Sequence, residues 1–165
     1  MYFFTADEHY WHKNVIKYCQ RPFISIEEMN EAIIKNNNEV VSKNDIVIHG
    51  GDTTLLSRHK FQNTGILQRL NGQHTFLKGS HDRWLAKSVI TRWEKHIDDI
   101  YVVVDHYAGR VWPRSHYGSW QLFGHSHGNL EAWENQYDIG VDNNNFYPVS
   151  FDELKEIMNK YATRS

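Results

Sequence analysis

The chain has 165 residues, of which 40% are hydrophobic and 23% are charged. This composition is typical of a globular protein, and we expect a single domain over residues 1–165. Its formal net charge of -2 excludes a general electrostatic attraction to nucleic acid or to an anionic membrane surface. The single Cys19 excludes an internal disulfide, and the N-terminal MYFFTADEHY has no basic flank and too short an apolar run for a signal peptide or membrane span. We therefore expect a cytoplasmic protein.

The N-terminal half alternates predicted strands and helices. A short apolar strand covers Tyr2–Ala6, and Ser25 is the predicted N-cap of a helix formed by IEEMNEAIIKNNNEVV. A buried strand follows at Asp45–His49, and HTFLK is a third strand. Weaker patterns predict helices over His59–Leu70 and within Trp84–His96. This alternation indicates βαβ units and a largely parallel sheet.

The pattern changes after Asp99. Short strands with glycine-bearing connections are predicted at DIYVVVDHY, GRVW, SWQLFGHSHG and QYDIGVD, and they indicate a second sheet with mainly antiparallel or mixed strands. A final amphipathic helix in SFDELKEIMNKYA has Ser150 as its predicted N-cap.

Side chains that can bind metals or transfer protons follow most of the predicted strands: Asp7, His9, Asp52, His81, Asp82, His106, His125 and His127. In α/β sheets the carboxyl ends of the strands form the ligand site, so this placement predicts one site. Residues i and i+2 of an extended chain point to the same side, so each D-x-H or H-x-H pair can converge on one ion. A mixed carboxylate and imidazole set suits Mn, Fe, Zn, Ni or Co, and six ligands suggest two ions.

Each pattern taken singly also has a structural explanation. A D-x-H pair is often a loop cap, Asp52 after two glycines is typical of a turn, and His106 can be a polar residue at a strand end. The GHSHG segment is stronger evidence, because His125 and His127 between two glycines have no packing advantage. The complete set in this order is what predicts a metal site.

The series DEH, GGD, GSHD, HY and GHSH resembles the calcineurin-like metallophosphoesterase superfamily, whose usual pattern is D-x-H, G-D, G-N-H-[DE], a lone H and G-H-x-H. The resemblance extends from Phe4 to His127. With the predicted elements, it implies a small single-domain phosphoesterase with a four-layer α/β/β/α sandwich, in which two mixed β-sheets are flanked by helices.

The resemblance also implies roles for the matching residues. The first metal would be held by Asp7, His9 and His127, the second by His106 and His125, and Asp52 would bridge them. The cofactors would be two divalent transition-metal ions, Mn²⁺ as the first expectation and Ni, Fe, Zn or Co as alternatives. A hydroxide between the metals attacks phosphorus in this superfamily. His81 would then protonate the leaving group, and Asp82 would orient His81.

One ligand position departs from the family pattern. Ser80 stands where the family has asparagine, whose amide oxygen binds the second metal. A hydroxyl is a shorter and weaker donor, so we expect a weakened second metal site and reduced turnover. The sequence leaves two origins open, a tolerated natural variant or a substitution introduced to trap substrate.

The substrate prediction rests on the segment after His106. Its residues Arg110, Trp112, Arg114 and His116 are expected to grip a phosphate or stack on a planar group. An equally good explanation places Trp112 in the core and the arginines in solvent, and His116 is the alternative ligand to His106.

The predicted reaction is hydrolysis of phosphodiesters or phosphomonoesters, such as nucleotides. A diester is preferred because 165 residues leave little room for a capping domain. A metal-dependent nuclease is an alternative, with nucleic acid possible but not favoured because the chain lacks a basic stripe. A non-catalytic scaffold of the same fold, as in the retromer subunit, is another. No membrane partner is expected, and the oligomeric state is not determined by the sequence.

Overall fold

The computed structural model describes residues 1–86, 89–131 and 133–162. The strands are β1 (Tyr2–Thr5), β2 (Ile46–His49), β3 (Gln73–Phe76), β4 (Arg92–Ile97), β5 (Ile100–Asp105), β6 (Trp120–Phe123), β7 (Gln136–Asp138) and β8 (Val149–Ser150). The helices are α1 (Lys13–Tyr18), α2 (Ile26–Val40), α3 (Arg58–Asn63), α4 (Ile66–Arg69) and α5 (Phe151–Ala162), with 3-10 turns at Ser115–Tyr117 and Val141–Asn143. No helix within these ranges is long and apolar enough to cross a membrane.

The strands form two four-stranded sheets. In the first sheet the order is β3-β2-β1-β8, with β3, β2 and β1 parallel and β8 antiparallel to β1. In the second sheet the order is β4-β5-β6-β7, with β4 antiparallel to β5 and the other pairs parallel. The protein therefore has the predicted α/β fold, two mixed sheets flanked by helices. Parallel neighbours end at the same edge of a sheet, which positions the loops described below.

Apolar side chains that face each other between the sheets form the main core. Phe4 and Ile48 of the first sheet are buried in one cluster with Val102 and Leu122 of the second, and Leu154 of α5 joins them. A second cluster beneath helices α1 to α4 contains Val15, Met29, Ile33, Phe61 and Ile66. Burial of these apolar surfaces is the main favourable contribution to folding, and it holds the strand ends in fixed positions.

Both predicted N-caps are confirmed. Ser25 Oγ accepts the backbone N–H of Glu28 at 3.1 Å, and Ser150 Oγ accepts that of Glu153 at 3.2 Å. Each hydroxyl satisfies one of the N–H groups that the first turn of a helix leaves unpaired.

The helix predicted within Trp84–His96 is wrong. The end of this segment is strand β4, which pairs antiparallel with β5; residues 87 and 88 lie outside the described ranges. Trp93 and Ile97 are four residues apart, a spacing that fits one face of a helix and also one face of a strand. Pairing with β5 stabilises this segment as a strand. In that strand Ile97 is buried in the inter-sheet core, and the Trp93 ring lies 6.1 Å from the ring of Phe4.

The strand predicted at GRVW is also wrong. The N–H of Gly109 donates to Gln121 Oε1 at 2.9 Å, and its carbonyl accepts from Gln136 Nε2 at 2.7 Å, so side chains replace a neighbouring strand. The helix predicted over His59–Leu70 is divided into α3 and α4, because Gly65 between them takes a left-handed conformation with φ 70°.

Candidate metal centre

The carboxyl ends of five strands converge on one site. Asp7 and His9 follow β1, Asp52 follows β2, Ser80 and His81 follow β3, His106 follows β5, and His125 and His127 follow β6. Backbone hydrogen bonds join these loops: Asp7 N–H donates to the Gly51 carbonyl at 3.0 Å, and His9 N–H donates to the Asp52 carbonyl at 3.1 Å.

The backbone of this site is strained. Five candidate ligands have a positive φ: Asp7 (58°), His9 (51°), Asp52 (58°), His125 (68°) and His127 (49°). A left-handed backbone is unfavourable for residues other than glycine, so a concentration of such residues indicates a functional constraint. Gly79 is needed for a different reason, because a Cβ there would lie 2.2 Å from Asp52 Oδ1.

The first ligand group consists of Asp7, His9 and His127, whose ligand atoms lie within 4.8 Å of one another. Asp7 is fully buried; its Oδ2 accepts the His125 N–H at 2.7 Å, whereas its Oδ1 has no hydrogen-bond partner. Burial, followed by the negative charge of Asp52, raises the pKa of Asp7 well above its ordinary value. A nearby cation would therefore stabilise the charged form of the Asp7 carboxyl group.

The second ligand group consists of Asp52, His106 and His125, within the same 4.8 Å limit. His106 Nδ1 lies 3.0 Å from the Gly50 carbonyl, an acceptor that requires the proton on Nδ1. Its Nε2 is thereby left as a free electron pair, 3.3 Å from Asp52 Oδ2, and it is buried with no hydrogen-bond partner.

Asp52 belongs to the second group and also faces His9 of the first group. Its Oδ2 is 3.3 Å from His106 Nε2 and 3.9 Å from His9 Nε2. Burial would raise the pKa of Asp52, but contacts with His106, the His81 N–H and His9 outweigh it and lower the pKa below its ordinary value. Burial, together with the positive charge of Arg21, lowers the pKa of His9 to about 2, so its imidazole is neutral, as metal binding requires.

One carboxylate of the site was not predicted from the sequence. Asp142 Oδ2 lies 2.7 Å from His127 Nδ1 and also accepts from Arg21 Nη2 at 2.7 Å. The Arg21 side chain is fully buried. Asp142 thus orients the His127 ring as an outer carboxylate does in metal sites. In the sequence, Asp142 could have been identified as the aspartate of the segment GVD, which shortly follows the strand QYD.

Cys19, His127 and Asp142 form a third group of possible ligand atoms. It is not independent of the first, because it shares His127, and Asp142 already pairs with Arg21.

Ser80 has a different contact from the one expected of a ligand. Its Oγ donates to Asp52 Oδ2 at 2.9 Å, and the neighbouring His81 N–H donates to Asp52 Oδ1 at 2.8 Å. Ser80 therefore orients the central carboxylate from one side of the site.

The predicted role of Asp82 as the orienter of His81 is wrong. Asp82 is buried and accepts hydrogen bonds from the backbone N–H groups of Asp52 at 2.6 Å and Gly79 at 2.9 Å and from the Trp84 indole at 2.9 Å. Both its oxygens are used to join the loops after β2 and β3. The His81 side chain is instead 43% exposed, with Nε2 3.9 Å from Asp52 Oδ2.

The predicted substrate residues after His106 do not gather at the site. Trp112 is buried, and its indole N–H donates to the Ser119 carbonyl at 3.1 Å, just before β6. Arg114 stacks on Tyr101, near the start of β5, five residues or about 16 Å along the strand from His106.

His116 lies in the same distant segment, in the 3-10 turn where it contacts Tyr117, so it is not an alternative to His106. Arg110 is exposed on the intervening loop. The substrate prediction therefore fails for Trp112, Arg114 and His116, because the chain turns away from the site after Tyr107.

Comparisons with known proteins identify the family. Over 169 residues the chain is 30% identical to the uncharacterized protein MJ1445 of Methanocaldococcus jannaschii, covering 96% of this chain and 91% of that protein. The chain therefore belongs to the same family as MJ1445. No family model matches the sequence.

The fold is also found in a solved structure. The protein of unknown function AQ665 from Aquifex aeolicus superposes with a TM-score of 0.75 at 18% identity, over 95% of this chain and 98% of that one. Two more distant structures are a predicted phosphoesterase from Streptococcus pneumoniae (TM-score 0.41, 14% identity, 76% of this chain and 62% of that one) and Vps29 from Entamoeba histolytica (0.48, 16%, 84% and 72%). These two scores are too low to support an argument.

Proposed function

We propose that the protein is a dinuclear metal-dependent phosphoesterase of the calcineurin-like superfamily. The observation that carries the proposal is the arrangement of two three-residue ligand groups around Asp52, whose Oδ2 lies within 3.9 Å of a histidine nitrogen from each group. The order of motifs along the chain and the α/β fold support it.

A second, independent observation supports metal binding by these residues. Asp7 Oδ1 and His106 Nε2 are buried without hydrogen-bond partners, and unsatisfied buried polar atoms of this kind are rare unless a missing ion or water explains them. Each group combines a carboxylate with imidazoles, which suits Mn²⁺, the first candidate, and also Ni, Fe, Zn or Co. Asp7, His9 and His127 would hold one ion, His106 and His125 the other, and Asp52 would bridge them.

When bound, the metals supply an activated water and neutralise charge on the phosphoryl oxygens. The protein's part is to hold its ligands in the right protonation state. The Gly50 carbonyl fixes the proton of His106 on Nδ1, and Asp142 does the same for His127. His81 is partly exposed beside Asp52, a position suited to donating a proton to the leaving oxygen.

The proposed substrates are phosphodiesters, or phosphomonoesters such as nucleotides. The exposed His125 and the partly exposed His81 leave the site open on the solvent side, which suits a diester with two substituents. The presence of His81 at the site favours an enzyme over a scaffold of the same fold.

The test compares three proteins supplied in turn with Mn²⁺, Ni²⁺ and Zn²⁺. We expect the wild type to hydrolyse bis(p-nitrophenyl) phosphate and to bind two metals by calorimetry. Asp52→Asn should lose metal binding and activity together, because it removes the central negative charge. His81→Ala should keep the metals and lose mainly the hydrolysis of esters with poor leaving groups, about 10²-fold or more.

An inactive wild type that binds two metals would contradict the proposed enzyme and favour the scaffold. Equal losses for good and poor leaving groups in His81→Ala would instead contradict only the role of His81.

A further inference from the structure

A cavity of about 350 Å³ opens beside the second ligand group. It shares His106 with that group, and its lining comprises Lys78, Thr91, Arg92, Asp105, His106, Tyr107, Ala108, Gly109 and Gln121. This volume lies within the range of small-molecule sites. The cavity is therefore available to a substrate group that is attached to the phosphorus.

The charges around the cavity include an ion pair and, at Lys78, a cation with no partner among the described residues. Arg92 forms two hydrogen bonds with Asp105, at 2.8 and 3.0 Å, and Gln121 donates to the same carboxylate at 2.7 Å. Arg92 and Asp105 therefore neutralise each other. Lys78 is half-buried, and its ammonium group has no hydrogen-bond or ion-pair partner among the residues that the structure describes. Lys78 thus offers a positive charge to an anionic group in the cavity.

An aromatic ring borders the same cavity. Tyr107 is 53% exposed, and its ring contacts His106 at 4.7 Å and His125 at 4.5 Å between centroids. The two imidazoles hold the ring in place, and its exposed part is free to stack on a planar group such as a nucleobase.

The cavity and the His81 ring contact different histidines of the site. The His81 ring packs against His9 at 5.4 Å and His12 at 6.0 Å, whereas the cavity adjoins His106. If His81 protonates the leaving oxygen, the cavity receives the substituent that stays on phosphorus.

We propose that this cavity binds the retained nucleoside of a phosphodiester substrate and selects one that carries a second phosphate. Lys78 pairs with that phosphate and Tyr107 stacks on the base. Water forms a new P–O bond, the P–O bond to the leaving group breaks with its oxygen protonated, and a nucleoside bisphosphate and an alcohol result. The inference rests on the proposed function and adds a substrate class to it.

Binding of a product analogue tests the cavity without turnover. Calorimetry in the presence of Mn²⁺ would compare thymidine 3′,5′-bisphosphate with thymidine 5′-phosphate. The wild type should bind the bisphosphate about tenfold more tightly, the effect of one charged contact. Lys78→Met should remove that preference, Tyr107→Ala should weaken both ligands, and Lys60→Met, at an exposed lysine of α3, should retain the preference. Equal affinities in the wild type, or a preference retained by Lys78→Met, would overturn the proposal.

Kinetics separate this inference from the proposed function. The substrates are the p-nitrophenyl ester of thymidine 5′-phosphate with and without a 3′-phosphate. If the wild type cleaves neither ester, the proposed function fails, and calorimetry still decides about the cavity. If it cleaves both with equal kcat/KM and Lys78→Met changes neither value, the function stands and the assignment of the cavity is wrong.

Discussion

At the scale of single residues, the hydrogen bond of Ser80 changes the expected effect of having serine and not asparagine at this position. The Ser80 hydroxyl donates to Asp52 Oδ2, an oxygen that also faces His9 and His106. That hydrogen bond uses one electron pair of the carboxylate that is proposed to bridge the metals. We therefore expect Ser80 to weaken the proposed second metal site in two ways, because it adds no strong ligand and it competes for the central carboxylate.

We expect Ser80→Asn to raise the affinity of the weaker metal site about tenfold, because an amide oxygen can bind an ion and releases Asp52 from the hydroxyl. Calorimetric titration with Mn²⁺ measures this, with activity on a diester as the second readout. Ser57→Asn is the matched control, since Ser57 precedes α3 and its side chain makes no capping hydrogen bond. Unchanged affinity in Ser80→Asn would show that Ser80 is not an impairment.

At the scale of elements, a buried polar chain links three parallel strands. Glu8, between the candidate ligands Asp7 and His9, has its Oε1 2.6 Å from Nδ1 of His49, the last residue of β2. His49 Nε2 in turn lies 2.9 Å from His74 Nδ1 on β3. The loop after β1 is thereby tied to the strand that leads into Asp52, which fixes the spacing of the two ligand groups.

Glu8→Gln should lower the free energy of unfolding by about 1–3 kcal/mol, since it replaces a charged buried partner of His49 with a neutral one. Metal affinity should fall with it, because the loop that carries Asp7 and His9 is held less firmly. Urea unfolding and Mn²⁺ titration provide the two readouts, with the exposed Glu27→Gln as control. A Glu8→Gln protein with wild-type unfolding and affinity would mean that Glu8 does not position the ligands.

At the scale of the whole molecule, burial of the Asp7 carboxylate is expected to cost stability. Asp7 is fully buried near Asp52, and its pKa is raised by burial and by that charge. A carboxyl group whose pKa is higher in the folded than in the unfolded protein destabilises the fold once the pH exceeds its ordinary value near 3.9. Well below that pH the carboxyl is protonated in both states, and this penalty vanishes.

Asp7→Asn should therefore stabilise the metal-free protein at pH 7 by roughly 1–3 kcal/mol, or a few degrees in Tm. The difference from the wild type should shrink as the pH approaches 4. In Mn²⁺ the order should reverse, because the variant loses a ligand and metal binding stabilises only the wild type. Thermal unfolding with and without a chelator measures both effects, and Asp99→Asn is an exposed control. A destabilised metal-free Asp7→Asn protein would be contrary to this account.

The element pattern was predictable to the extent that it depends on neighbouring residues. Both N-caps form within one helical turn, and the alternation of strands and helices correctly describes the three parallel strands of the first sheet, whereas its antiparallel strand β8 was not predicted. Strand β4 was missed because Trp93 and Ile97 fit a helix as well as a strand until β5 pairs with them. The fold of the segment after His106 was missed because Gln121 and Gln136, distant in sequence, bind its backbone at Gly109.

The sequence by itself determined the candidate ligands and the strand ends that carry them, because the residue types and their i, i+2 spacing are local properties. Only the tertiary structure decided the contacts between loops. Asp82 looked like a partner of the adjacent His81 but accepts from the backbone of Asp52, 30 residues earlier. Asp142 orients His127 through a hydrogen bond across 15 residues of chain. Such pairings are set by strand pairing within each sheet, which brings the loops after β2 and β3 together, and likewise those after β6 and β7, and which no local pattern records.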